Sequence, residues 1–166
     1  FGKNTFQPWI ISCAIILPIL DYGRRHNKFL YRIYSNLFIT FTRPIEQGIL
    51  SGASWVIIGA AVTIFIFNEN TAIIGLLVLS IADSAAAIVG IKFGKTQLYS
   101  KSLEGSAAFF ITATIIVFLL SSAAAYINFI AVITATVVEL FSTPRINDNL
   151  LIPMVLALIL TIGGLG

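Results

Sequence analysis

Charge is the scarcest feature of this chain. Only 10% of its 166 residues are charged, against 58% apolar, and the mean hydropathy is +0.98. A soluble globular domain carries roughly 25% charged residues. The deficit argues against an ordinary water-soluble domain and leads us to expect an integral membrane protein. Net charge is +3, too little to argue for nucleic acid as a partner. A single cysteine, Cys13, excludes an internal disulfide, and its apolar run marks it as a core or lipid-facing residue. A single histidine, His26, lies in a basic run without a second histidine or cysteine to share a metal, so we read it as a surface residue. No internal repeat, low-complexity tract or basic n-region with a signal-type cleavage site stands out. The chain begins at Phe1, and we expect a longer protein whose N-terminal segment is missing.

Long apolar runs, in contrast, are abundant. They predict an all-α, polytopic membrane bundle of about six transmembrane helices, near 6–20, 53–67, 71–91, 106–120, 127–141 and 150–166. Several hold only about 15 clearly apolar residues, short of the roughly 20 usual for a span. Pro8 and Pro44 read as boundaries, Pro18 as a kink or the start of a helix end, and Pro153 as a helix start. Nine of the ten basic residues fall on three connections, 21–52, 92–105 and 142–149. The positive-inside rule makes that side cytoplasmic. Phe29, Leu30, Ile33, Leu37 and Phe38 alternate at helical spacing with Arg25, Lys28, Arg32 and Asn36, as in an amphipathic helix along that interface.

Acids within such segments are costly and usually mark a pathway or a reaction site. Asp83, Ala87, Gly90 and Gly94 share one helix face, which sets an acid above a track of small residues. That track permits close helix packing or close approach of a ligand to backbone. Lys95 and Lys101 bracket a polar loop that leads into Ser102, Glu104, Gly105 and Ser106 at a helix start. Free N–H groups there suit an anion, and lysines suit phosphate, although Glu104 also fits an ordinary helix start. The loop lacks the P-loop pattern. Glu139 ends the fifth helix, and Asn147-Asp148-Asn149, a natural cap, precedes the sixth. Asp83, Glu104, Glu139 and Asp148 can converge at one face, where their repulsion calls for a cation such as Mg²⁺. Arg43 and Glu46, one turn apart, form a local ion pair or orient a substrate.

These motifs resemble the dolichol kinase, phytol kinase and CTP-dependent diacylglycerol kinase family, distantly related to phosphatidate cytidylyltransferases. The resemblance rests on Asp83-x-x-Ala86-Ala87-x-x-Gly90-x-x-x-Gly94, on Lys101-Ser102-x-Glu104-Gly105-Ser106, and on Glu139 followed by Asp148-Asn149-Leu150-x-Ile152-Pro153. Arg43-x-x-Glu46 with Ser51-Gly52, and Asp21-x-x-Arg24, are similar to further family segments. Asn147 stands where the family often has a second acid.

The resemblance implies a single integral membrane catalytic domain over 1–166 that moves the γ-phosphoryl of CTP to a lipid alcohol at a cytoplasm-facing site with Mg²⁺. On that reading Asp83, Lys101 and Glu104 are catalytic. Gly90, Gly94, Lys95, Lys101, Ser102, Gly105 and Ser106 serve the nucleotide. Asp83, Glu104, Glu139 and Asp148 serve the metal, and Arg43, Glu46 and Asn149 position substrate. Asp83 is the candidate base but fits a metal ligand equally. A cytidylyltransferase making CDP-diacylglycerol and a small transporter component are the competing readings.

Overall fold

A computed structural model of the chain describes residues 3–23, 26–29, 31–32, 50–98, 101–142 and 147–165. It divides into two compact units, Phe1–Ala61 and Val62–Gly166.

In the first unit, helix α1 (Lys3–Gly23) continues through both Pro8 and Pro18. Asp21, near its end, is fully buried. Its Oδ2 accepts the main-chain N–H of Ser51 and, at 2.9 Å, the hydroxyl of Ser54. An acid some thirty residues upstream thus serves the start of helix α2 (Gly52–Ile66), where helical N–H groups have no partner of their own. Helix α2 begins in this unit and ends in the second.

The second unit starts with a capped helix. Asn68 Oδ1 accepts the Thr71 N–H at 2.9 Å, and Glu69 complements the dipole in the first turn. Helix α3 (Glu69–Phe93) includes a π-helical turn over Val78–Ala82. Ser80 and Ser84 bond back to the carbonyls of Leu76 and Ser80 at 2.8 and 2.6 Å, a pattern that bends helices. A short antiparallel ribbon follows, β1 (Gln97–Leu98) with β2 (Lys101–Ser102), pairing Gln97 with Ser102 and Leu98 with Lys101. Ser102 then caps helix α4 (Leu103–Leu120) by accepting the Gly105 N–H at 3.1 Å. Helix α5 (Ala125–Leu140) is followed by α6 (Asp148–Leu160), capped by Asn147, which accepts the Asn149 N–H at 3.0 Å.

Within this unit α3 packs on α4, α4 on α5, α5 on α6 and α6 back on α3. The closed ring buries Val78, Phe109, Val117, Val132, Ile152, Leu156 and Leu160 with the alanines 82, 86, 113, 131 and 135. The alanines bring the helix axes close, and burying a side chain such as Phe109 contributes about 1.5–3 kcal/mol.

The all-α reading holds among the described residues, with six helices and one small ribbon. The expectation of six transmembrane helices is corrected. By length and composition, two of the described helices are long and apolar enough to cross a membrane, Glu69–Phe93 and Leu103–Leu120. The apolar helices Gln7–Gly23, Gly52–Ile66, Ala125–Leu140 and Asp148–Gly164 fall short. The 16 residues of α5, for example, rise about 24 Å against a hydrocarbon core of about 30 Å. The expected multi-pass integral membrane localisation falls with those spans, and so does the cytoplasmic orientation of the site drawn from them. Of the predicted interfacial amphipathic helix, Arg25, Leu30 and everything from Ile33 on lie outside the described residues, as do Arg43 and Glu46.

Candidate functional site

Four local features of the second unit deliver charged groups to one place. The π turn of α3 ends at Ala82, so the next residue, Asp83, carries the change of register that the wider turn introduces. The ribbon holds Lys101 opposite Leu98. Glu139 lies in the last turn of α5, and Asp148 opens α6.

The Lys101 ammonium is the common partner. Its Nζ lies 2.8 Å from Asp148 Oδ2, 3.2 Å from Glu139 Oε1 and 3.7 Å from Asp83 Oδ1. Glu139 is 1% exposed, whereas Asp83 keeps 31% of its side chain accessible. Burial works against the charge on Lys101. The adjacent Asp148 carboxylate, through charge and hydrogen bond, and then Asp83 and Glu139 outweigh it and hold the amine well above the usual lysine range. Two hydroxyls complete the cluster. Ser106 Oγ donates to Glu139 Oε2 at 2.7 Å, and Ser142 Oγ donates to Asp148 Oδ2 at 3.2 Å.

The remaining predicted residues lie around this cluster or turn from it. Glu104 is at the start of α4, but both its carboxylate oxygens accept the Thr96 N–H, at 3.2 and 3.3 Å. It ties down the loop after α3 and does not join the other acids. Gly90, Gly94 and Gly105 line the close approach of α3 to α4. A Cβ on Gly94 would stand 2.3 Å from the Gly90 carbonyl, and one on Gly105 would stand 2.9 Å from the Ala86 carbonyl. A Cβ on Gly90 would meet Ser102 Oγ at 3.0 Å. Backbone and Ser102 occupy the space beside these glycines: the Gly90 and Gly105 contacts join α3 to the start of α4, and the tightest Gly94 contact is to the carbonyl of its own helix. Ser102 is the helix cap, and Lys95 is exposed. The Asn149 N–H is taken up by Asn147 Oδ1 and Asp148 Oδ1, both at 3.0 Å. Ser142, three residues after Glu139, carried no expectation; a hydroxyl between two acids was its only signal.

The donor chemistry of Asp83, Glu139 and Asp148 is that of Mg²⁺, all carboxylate oxygen. The arrangement is not. Lys101 holds the point on which they converge, Glu104 faces elsewhere, and no group of three or more metal-binding side chains is poised around a cation among the described residues. As it stands the cluster is an ammonium site.

Comparison with known proteins adds the ancestry. The chain is 37% identical over 168 residues to uncharacterized protein RP860 of Rickettsia prowazekii, covering 92% of this chain and 82% of the relative. It is 31% identical over 163 residues to uncharacterized protein MJ1137 of Methanocaldococcus jannaschii, covering 96% and 81%. The chain belongs to the family of these two proteins. Named enzymes match this chain over a smaller share of their own length. CTP-dependent diacylglycerol kinase 1 of Saccharomyces cerevisiae is 34% identical over 116 residues, which is 68% of this chain but 40% of the kinase. The chain is thus a distant homologue of the CTP-dependent diacylglycerol and dolichol kinases. No family model and no solved structure matches it.

Proposed function

We propose that this protein is a CTP-dependent lipid kinase, which transfers the γ-phosphoryl of CTP to the hydroxyl of a lipid alcohol such as diacylglycerol, a polyprenol of the dolichol type, or phytol. The observation that carries the reading is Lys101 held among Asp83, Glu139 and Asp148 in a chain homologous to CTP-dependent lipid kinases. Phosphoryl transfer asks little covalent chemistry of a protein. It asks for positioning and for positive charge at the phosphate oxygens. Lys101 is a cation fixed from several sides, and Asp83 is the most accessible of its carboxylate partners.

In the reaction the acceptor hydroxyl oxygen attacks the γ-phosphorus. The bond to the β–γ bridging oxygen breaks, CDP leaves, and the hydroxyl proton passes to Asp83. Lys101 neutralises charge on the transferred group. The carboxylates outnumber the ammonium, and an Mg²⁺ ion arriving with CTP as part of the substrate would supply the further positive charge that phosphoryl transfer needs. Exposed Ile88, Ile91 and Phe93, on the same helix as Asp83, provide apolar surface for the body of a lipid acceptor.

The test is incubation of the purified full-length protein with γ-labelled CTP, Mg²⁺ and a panel of lipid alcohols. The expected products are CDP and a labelled lipid monophosphate. Pyrophosphate with a CDP-lipid from phosphatidate would replace this reading with a cytidylyltransferase, and absence of both products would end it.

A further inference from the structure

Glu139 has a second partner that the phosphoryl step does not use. The carboxylate is 1% exposed and the Ser106 side chain facing it across α4 and α5 belongs to a residue 5% exposed. Lys101 takes Oε1 at 3.2 Å, while Oε2 accepts the Ser106 hydroxyl at 2.7 Å. A hydroxyl has one proton to give. The proton of Ser106 is committed to Glu139, inside the bundle. A carboxylate with one oxygen pinned has little freedom about its last torsion, which is otherwise broad. Its other oxygen is thereby aimed.

We propose that Ser106 is a positioning residue. Its hydroxyl fixes the rotamer of Glu139, so that Oε1 stays turned to Lys101 and the ammonium is anchored from the interior while Asp148 and Asp83 hold it from α6 and α3. Ser106 acts on Lys101 through Glu139 and touches no substrate. The effect on turnover rests on the kinase reading; the effect on Lys101 does not.

The experiment therefore has two readouts on the full chain. In the first, Lys101 is acetylated by a water-soluble N-hydroxysuccinimide ester and its labelling rate is followed by mass spectrometry. In the second, turnover is measured with γ-labelled CTP. Ser106→Ala is expected to raise the Lys101 labelling rate about tenfold, the scale of a lost hydrogen bond to a charged group, and to lower kcat with little change in the KM for CTP. In a Glu139→Gln background the same change should alter labelling less than about twofold, because the residue through which Ser106 acts is already disabled. Ser106→Cys, of similar volume with a weaker donor, should fall between serine and alanine. It also serves in place of the alanine variant if that variant does not fold. Wild-type labelling in Ser106→Ala or Ser106→Cys would overturn the proposal. So would an undiminished effect in the Glu139→Gln background. A wild-type protein that transfers no phosphoryl group would sink the kinase reading, and the labelling cycle would still decide the role of Ser106.

Discussion

Lys101 keeps its charge in a half-buried position because acids face it from α3, α5 and α6. Its amine is raised in the folded state above the ordinary value of about 10.4. A raised lysine contributes stability that is fully present below the unfolded value and is lost as pH climbs through the folded one. We therefore expect Lys101→Met to be destabilised by about 3 kcal/mol at pH 7, since it strands buried carboxylates without a cation. The gap from wild type should stay level to about pH 10 and close only above it. Thermal melts of both proteins between pH 7 and 11 check this; a gap that closes between pH 7 and 9 would contradict the raised amine. Asp83→Asn makes the complementary change at the more exposed acid. It removes the proposed proton acceptor while leaving volume and one oxygen. We expect turnover to fall at least about a hundredfold, the lower range for a general base, with melting temperature nearly unchanged. The sequence singles out the acids as expensive and leads us to expect Lys101 at a phosphate; in the structure Lys101 meets Asp83, Glu139 and Asp148. What the sequence cannot give is who pairs with whom. Glu104 stands two residues from Ser102 in the same motif as Lys101, yet its carboxylate turns to the Thr96 amide because the loop after α3 offers an unpaired N–H nearby.

Among the elements, caps and packing were the most readable features. Asn147 caps α6 within the Asn-Asp-Asn run that marks a helix start. The spacing of Asp83, Ala87, Gly90 and Gly94 marks one face of α3 and leaves open whether helix or ligand meets it. In the structure the start of α4 comes close to that face: a Cβ built on Gly105 would stand 3.4 Å from the Gly90 Cα and 2.9 Å from the Ala86 carbonyl. Gly105→Ala should force the helices apart. Overpacking costs about 1–3 kcal/mol, and the better helix propensity of alanine returns up to about 1 kcal/mol. We expect a net loss of about 1–2 kcal/mol in denaturant unfolding, with a fall in turnover since β2 and α4 carry Lys101 and Ser106. A melting temperature above wild type would refute the close approach. The number of spans was misread for a definite reason. Hydropathy responds in the same way to a helix in lipid and to one buried against its neighbours, and α6 is apolar because Ile152, Leu156 and Leu160 fill the core. The π turn in α3 left no mark beyond Ser80 and Ser84, whose hydroxyls bond back to the helix.

Across the whole chain, the candidate chemistry and the core of the second unit share the residues after Val62, while the first unit carries its own buried acid. Asp21 read as a charged helix exit; its role toward Ser51 and Ser54 depends on a contact over thirty residues that no local pattern reveals. Stability and turnover should therefore separate along the chain. Asp21→Ala leaves the buried Ser51 N–H and Ser54 hydroxyl without that acceptor, and an unmet buried donor costs about 1–3 kcal/mol. Its melting temperature should fall while turnover per folded molecule holds. Asp148 is the opposite case. It opens α6 and, in the same position, makes the shortest contact to Lys101, at 2.8 Å, and accepts from Ser142. Were it only part of a helix start, a serine would serve nearly as well, because the cap itself is Asn147 and a lost cap costs about 1 kcal/mol. As an anchor for Lys101 it has no substitute in serine, which carries no charge. Asp148→Ser is expected to melt within a few degrees of wild type and to lose at least about tenfold in kcat, the scale of one charge-assisted hydrogen bond. Wild-type turnover in that variant, with Lys101 labelled no faster, would show that the ammonium is held by Glu139 and Asp83 alone and that Asp148 serves the helix rather than the reaction.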